Sequence, residues 1–85
     1  MRSIWKFPLK VTDRQPISIP VGAVSLSVQI QNDIPCLWAL VDTEADTEQR
    51  EVSIFGTGHM VSEEGQYIST FQMHNGGLVF HAFIK

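Results

Sequence analysis

Val24-Ser25-Leu26-Ser27-Val28-Gln29-Ile30-Gln31 alternates without a break: each even position is apolar and each odd position polar. On a helix those apolar residues would scatter around the axis. On an extended strand successive side chains point to opposite faces, so Val24, Leu26, Val28 and Ile30 line one surface and the polar residues the other. The spacing predicts a half-buried β-strand over Val24–Gln31, its even residues facing a core. Asn32-Asp33 follows, then Pro35, which lacks a ladder N–H. Together they predict a hairpin turn over Asn32 to Pro35. The returning segment, Cys36-Leu37-Trp38-Ala39-Leu40-Val41, is apolar at every position. Such a run marks a central strand covered on both faces, or one whose outer face meets another subunit.

Working outward, the same period recurs. Ile4–Leu9 reads as a strand with Trp5, Phe7 and Leu9 inward. Pro16–Pro20 reads as a short strand closed by prolines, which suits a sheet edge. Asp42–Glu51 is polar and acidic and reads as a solvated loop or one helical turn. Val52–Phe55 is a short strand ended by Gly56-Thr57-Gly58-His59. Tyr67–Met73 predicts a strand with Tyr67, Ser69, Phe71 and Met73 on one side. Asn75-Gly76-Gly77 is a hairpin signal, and Leu78–Ile84 returns antiparallel. About seven short strands with closely spaced turn signals predict an all-β fold, a small antiparallel sandwich or barrel with little or no helix.

Composition bounds the rest. The 85 residues make one domain, 1–85. A domain of this size buries only roughly 60–65% of the surface its unfolded chain exposes, so an added interface would help and a homo-oligomer is expected. The net charge of −3 argues against general nucleic-acid binding, which needs surplus Lys and Arg. No apolar run is long enough to span a bilayer, and the first residues contain no apolar signal-peptide region. One cysteine, Cys36, admits no internal disulfide and suits a reducing cytoplasm.

The chemistry-bearing residues form no strong motif. His59, His74, His81 and Cys36 lack the spacing of a metal site, so no metal and no cofactor are expected. His81 alternates with Val79 and Phe83, as a partly buried strand histidine does. No G-x-S-x-G elbow occurs, and the carboxylates gather in Asp42–Glu51 and Glu63-Glu64, as solvated loops do. No catalytic residue is assigned and an enzyme is not expected. Gly56-Thr57-Gly58-His59 is the most suggestive segment. Two glycines let backbone N–H groups approach a ligand, anions included, although a plain turn explains them too.

Four of the six basic residues, Arg2, Lys6, Lys10 and Arg14, lie in the first fourteen positions. Arg2, Lys6 and Lys10 share a parity, so an unbroken strand sets them on one outer face as an anion-attracting stripe. Edge-strand protection is the simpler explanation, and Pro8 interrupts the geometry. Trp5 and Trp38 occupy positions that predict burial. Trp38, on the doubly apolar strand, also suits an interface or a stacking wall.

Taken together, Ile4–Leu9, Ile19–Ala23, Leu26–Gln31, Pro35–Asp42, Gly56–His59, Tyr67–Phe71 and Leu78–His81 resemble a family of small uncharacterised proteins of bacteriophages and prophages. The resemblance implies expression in a host bacterial cytoplasm and carries no catalytic residues. The resulting expectation is a non-catalytic phage accessory protein, an oligomer that sequesters a small anionic, nucleotide-like ligand in a counter-defence role. Gly56, Thr57, Gly58 and His59 would supply backbone donors, Lys6, Lys10 and Arg14 charge, and Trp38 or Tyr67 a stacking face. The alternatives are an interaction module that inhibits a host protein, in which the acidic loop matters more, and a minor virion domain.

Overall fold

The computed structural model describes residues 1–62 and 65–85. The Glu63-Glu64 pair lies outside the described residues. Seven strands follow in order: β1 (Arg2–Pro8), β2 (Arg14–Pro20), β3 (Val24–Gln31), β4 (Ile34–Asp42), β5 (Thr47–Gly56), β6 (Gln66–Met73) and β7 (Leu78–Ile84). Every pairing is antiparallel. One sheet has the order β1-β4-β3 and the other β2-β5-β7-β6, which makes the fold a sandwich rather than a closed barrel.

The core is one apolar layer between the sheets. Leu37, Ala39 and Val41 of β4 and Val28 of β3 meet Ile17 and Ile19, Val52 and Ile54, Phe71, and Ala82 and Ile84 from the facing sheet. Burying each large aliphatic side chain stabilises the fold by about 1.5–3 kcal/mol. The sheets close along one side, where Ser69 Oγ of β6 donates to the Val28 carbonyl of β3 at 2.9 Å. Gln29 Nε2 also donates to Ser69 Oγ, at 3.3 Å.

Two bulges correct the simple alternation. In β3 the register with β4 shifts between Ser25 and Ser27, with Leu26 as the extra residue. An inserted residue switches every side chain beyond it to the other face. Val28 stays in the core, whereas Val24 turns outward and Val24 and Leu26 are 49% and 47% exposed. In β6 the shift falls at Ile68, so Tyr67 faces outward while Ser69 and Phe71 face in.

Other boundaries move for physical reasons. Thr47–Glu51, read from its charge as loop, forms the first half of β5, because it pairs along β2 from Pro20 to Pro16. The hairpin after β3 is shorter than expected. Asn32 and Asp33 alone make it, both at positive φ (51° and 65°), and Pro35 already pairs with Ile30. Pro16 and Pro20 do lie on a sheet edge, β2. Neither tryptophan is fully buried. Trp5 faces the core side of an edge strand and is 40% exposed, and Trp38 is half-buried on the outer face.

Candidate functional site

The outer face of the four-stranded sheet gathers most of the candidate residues. Cross-strand register sets Arg14, Ser53, Phe83 and Tyr67 in one row, and Phe55, His81 and Thr70 in the next. Ser53 and Phe55 are buried although they point away from the core. The chain after β5 doubles back over that strand, and Arg14 holds it by donating to the Ser62 carbonyl at 2.9 Å and to Ser62 Oγ at 3.2 Å. Phe83 braces the face: its ring meets those of Phe55 and Tyr67 edge-on, at centroid distances of 6.0 and 5.6 Å. Tyr67 is 54% exposed, so one side of its ring is open to a stacking partner.

A line of hydrogen bonds crosses this face. Thr57 Oγ1 lies 2.8 Å from His81 Nε2. His81 Nδ1 lies 2.9 Å from Thr70 Oγ1, which lies 2.7 Å from the Tyr67 hydroxyl. A hydroxyl against an imidazole is the first pair of a nucleophile–base arrangement. Here the residue orienting the imidazole is a second threonine, which has no charge to stabilise an imidazolium, as a carboxylate would. The line is therefore a row of groups that each both donate and accept, suited to holding a polar ligand edge.

Gly56–His59 caps one end of that line. His59 N–H donates to the Gly56 carbonyl at 3.1 Å and Thr57 N–H to that of Val79 at 3.1 Å. The His59 ring lies over Gly56, where a Cβ would sit 3.0 Å from two of its atoms. Gly56, Thr57, His59, Leu78, Val79 and Phe80 line a hollow of about 300 Å³. A larger open recess, about 760 Å³, lies between the tips of the β3–β4 and β6–β7 hairpins, beside Asp33, Gln72 and His74.

The remaining candidates lie elsewhere. Lys6 and Trp38 pair across β1 and β4 on the outer face of the three-stranded sheet. Lys6 Nζ reaches across β4 to Gln31 Oε1 at 2.7 Å. β1 ends at Pro8, so Lys10 leaves the expected stripe and sits in the following loop, its amide bonded to Gln15 Oε1. Thr70 escaped the sequence reading, and His81 entered it only as a strand residue.

That second outer face also carries an apolar row. Ile4, Leu40 and Val24 form a row across all three strands, beside Trp38. Ile4 is 58% exposed. Asp42 ends the sheet: the Glu44 amide donating to its Oδ1 holds its carboxyl below the usual carboxylate range, helped by the terminal ammonium and Arg2. Because the folded-state value is lowered, this tie is present above the ordinary carboxylate range and is lost as pH falls through the lowered value. Acid titration is expected to move the Glu44 amide resonance with a midpoint below 3.8, the ordinary value for this carboxyl.

Among the described residues, no three His, Cys, Asp or Glu side chains gather closely enough to hold a metal ion. Among the described residues no helix is long and apolar enough to cross a membrane. A family model described as a domain of unknown function (DUF7352) matches residues 1–85, and the chain belongs to that family. Neither the curated proteins nor the solved structures include a match to it.

Proposed function

We propose that this DUF7352 domain is a non-catalytic binder that captures a small nucleotide-like ligand on the outer face of its four-stranded sheet. The observation that carries the reading is the line Thr57–His81–Thr70–Tyr67, which joins an exposed aromatic ring to adaptable donors and acceptors. Tyr67 is the stacking wall for a base, and the hydroxyl–imidazole row meets its polar edge. Arg14 begins the row that ends at Tyr67 with its guanidinium bonded to Ser62, and Lys6 and Lys10 lie off this face, so the reading rests on stacking and hydrogen bonding rather than on charge. In the bacteriophage setting that the sequence resembles, the domain would act in the host cytoplasm by withdrawing a signal nucleotide from host defence.

The test is an NMR titration with nucleoside monophosphates and cyclic dinucleotides. Saturable shifts at Tyr67, Thr70 and His81 are expected. Tyr67→Ala removes the stacking wall, which is worth about 1–3 kcal/mol per base, and should weaken binding roughly 10- to 100-fold. Thr57→Val keeps the shape, breaks the line and should weaken binding by a smaller factor. No shift at millimolar ligand overturns the reading.

The row Ile4–Leu40–Val24 favours a second reading, a module that docks on a host protein through the three-stranded sheet. A complex that Leu40→Asp abolishes and Tyr67→Ala leaves intact separates the two.

A further inference from the structure

We propose that two copies of this chain pair edge to edge through β1, antiparallel about a two-fold axis at Trp5, merging their three-stranded sheets into one of six strands. The proposal is independent of the ligand reading, which concerns the other sheet.

The backbone directions of β1 follow from its ends. Thr43 N–H donates to the Met1 carbonyl and Leu9 N–H to the Pro35 carbonyl, both in the register that pairs Arg2 with Asp42. Hydrogen-bonded pairs alternate along an antiparallel ladder. Ser3, Trp5 and Phe7 therefore bond to β4, while the N–H and C=O groups of Arg2, Ile4 and Lys6 point to the free edge.

The other three sheet edges are guarded. On β2 the same reasoning applies, from Val21 N–H donating to Asp46 and Ile54 N–H to Asp13. Its outward positions are Arg14, Pro16, Ser18 and Pro20, so two of the four lack an N–H. β3 and β6 carry bulges and lie against each other through Ser69 and Val28. Bulges, prolines and covering are the ordinary means of blocking edge pairing. β1 keeps one unbroken register from Arg2 to Pro8, and proline enters only at its last residue. Of its two cations, Lys6 folds inward over β4 to Gln31, and Arg2 stands at the strand's first residue opposite Asp42. Ile4 and Trp5, on opposite faces of the same strand, are both largely open.

Charge selects the register. An axis at Trp5 sets Trp5 against its own copy, Ile4 against Lys6 and Arg2 against Pro8. An axis at Ile4 sets Arg2 against Lys6 twice, and an axis at Lys6 sets Lys6 against Lys6. Like charges directly opposite destabilise a pair, which leaves the axis at Trp5. Edge pairing over seven residues buries on the order of 1,000 Å² in all, the low end for a specific interface, so a micromolar dimer is expected.

Sedimentation velocity from micromolar to millimolar protein should show a monomer–dimer equilibrium. Ile4→Pro removes an N–H that β4 does not use, so it should keep the native far-UV circular dichroism and abolish the dimer. Ser18→Pro on β2 should leave the dimer intact. In a Cys36→Ala background, Trp5→Cys should cross-link on oxidation, and Ile4→Cys and Lys6→Cys should not. A folded protein that stays monomeric throughout, or a dimer that survives Ile4→Pro, overturns the proposal. Cross-linking through position 4 or 6 instead of 5 overturns the register.

Discussion

Replacing Gly65 with alanine is expected to destabilise the domain by about 2–4 kcal/mol, a large share of the roughly 5–15 kcal/mol typical of a folded domain. A Cβ at Gly65 would sit 2.1 Å from the Ile84 carbonyl oxygen, 2.5 Å from its carbon and 2.8 Å from Lys85 Cα. All three are backbone atoms, so no rotamer change relieves the clash. Gly65 leads directly into β6, where Gln66 pairs with Ile84. Relief must come from shifting the start of β6 away from β7, next to the core residue Ile84. Gly22→Ala is the control: Gly22 has φ +81° but open space around its Cβ position. Its cost is confined to the left-handed backbone, about 1–2 kcal/mol. Urea unfolding midpoints for both variants and the parent provide the comparison. Equal losses at the two positions would mean that the close approach at Gly65 is easily relieved.

The strands were legible because their apolar residues alternate, and the reading failed where a single extra residue broke the count. Nothing in Ser25-Leu26-Ser27 distinguishes a bulge from regular strand, since either spelling alternates. The error reached the site as well. Thr70 pairs with His81 in the register that runs from the β6–β7 hairpin, and Tyr67 joins it on the outer face only because the count shifts at Ile68. Continued without that bulge, the hairpin register would set Tyr67 opposite Ile84 and facing the core, and the line from Thr57 to Tyr67 would be broken. The bulge therefore completes the candidate site, which explains why strict alternation placed Tyr67 on the side of Ser69 and Phe71. The first half of β5 was missed for another reason. Thr47, Glu48 and Gln49 are all exposed beside the edge strand β2, so no apolar period marks them. Lys10 was misplaced because shared parity carries information only while the strand lasts, and β1 stops at Pro8.

Leu37→Ala is expected to cost about 3 kcal/mol, and Leu40→Ala on the same strand about 1 kcal/mol or less. The substitution is the same chemically, so the difference isolates the two faces of β4. Leu37 is fully buried opposite Val28 and Phe7, in the layer shared with the other sheet. Removing three carbons there leaves a cavity whose walls belong to two sheets and cannot collapse independently. Leu40 is half-buried between Ile4 and Val24, with solvent rather than a sheet above it. For a domain of this size each kcal/mol shifts the melting temperature by roughly 4–8 °C, so calorimetry separates the two variants easily. Repeating the Leu40→Ala measurement at rising protein concentration adds a second reading. Edge pairing through β1 sets Ile4 beside Lys6 of the second copy and leaves Leu40 uncovered, so its cost should stay small at every concentration. A cost that climbs toward that of Leu37→Ala would place a second molecule on top of the row, and the two sheets would then meet face to face.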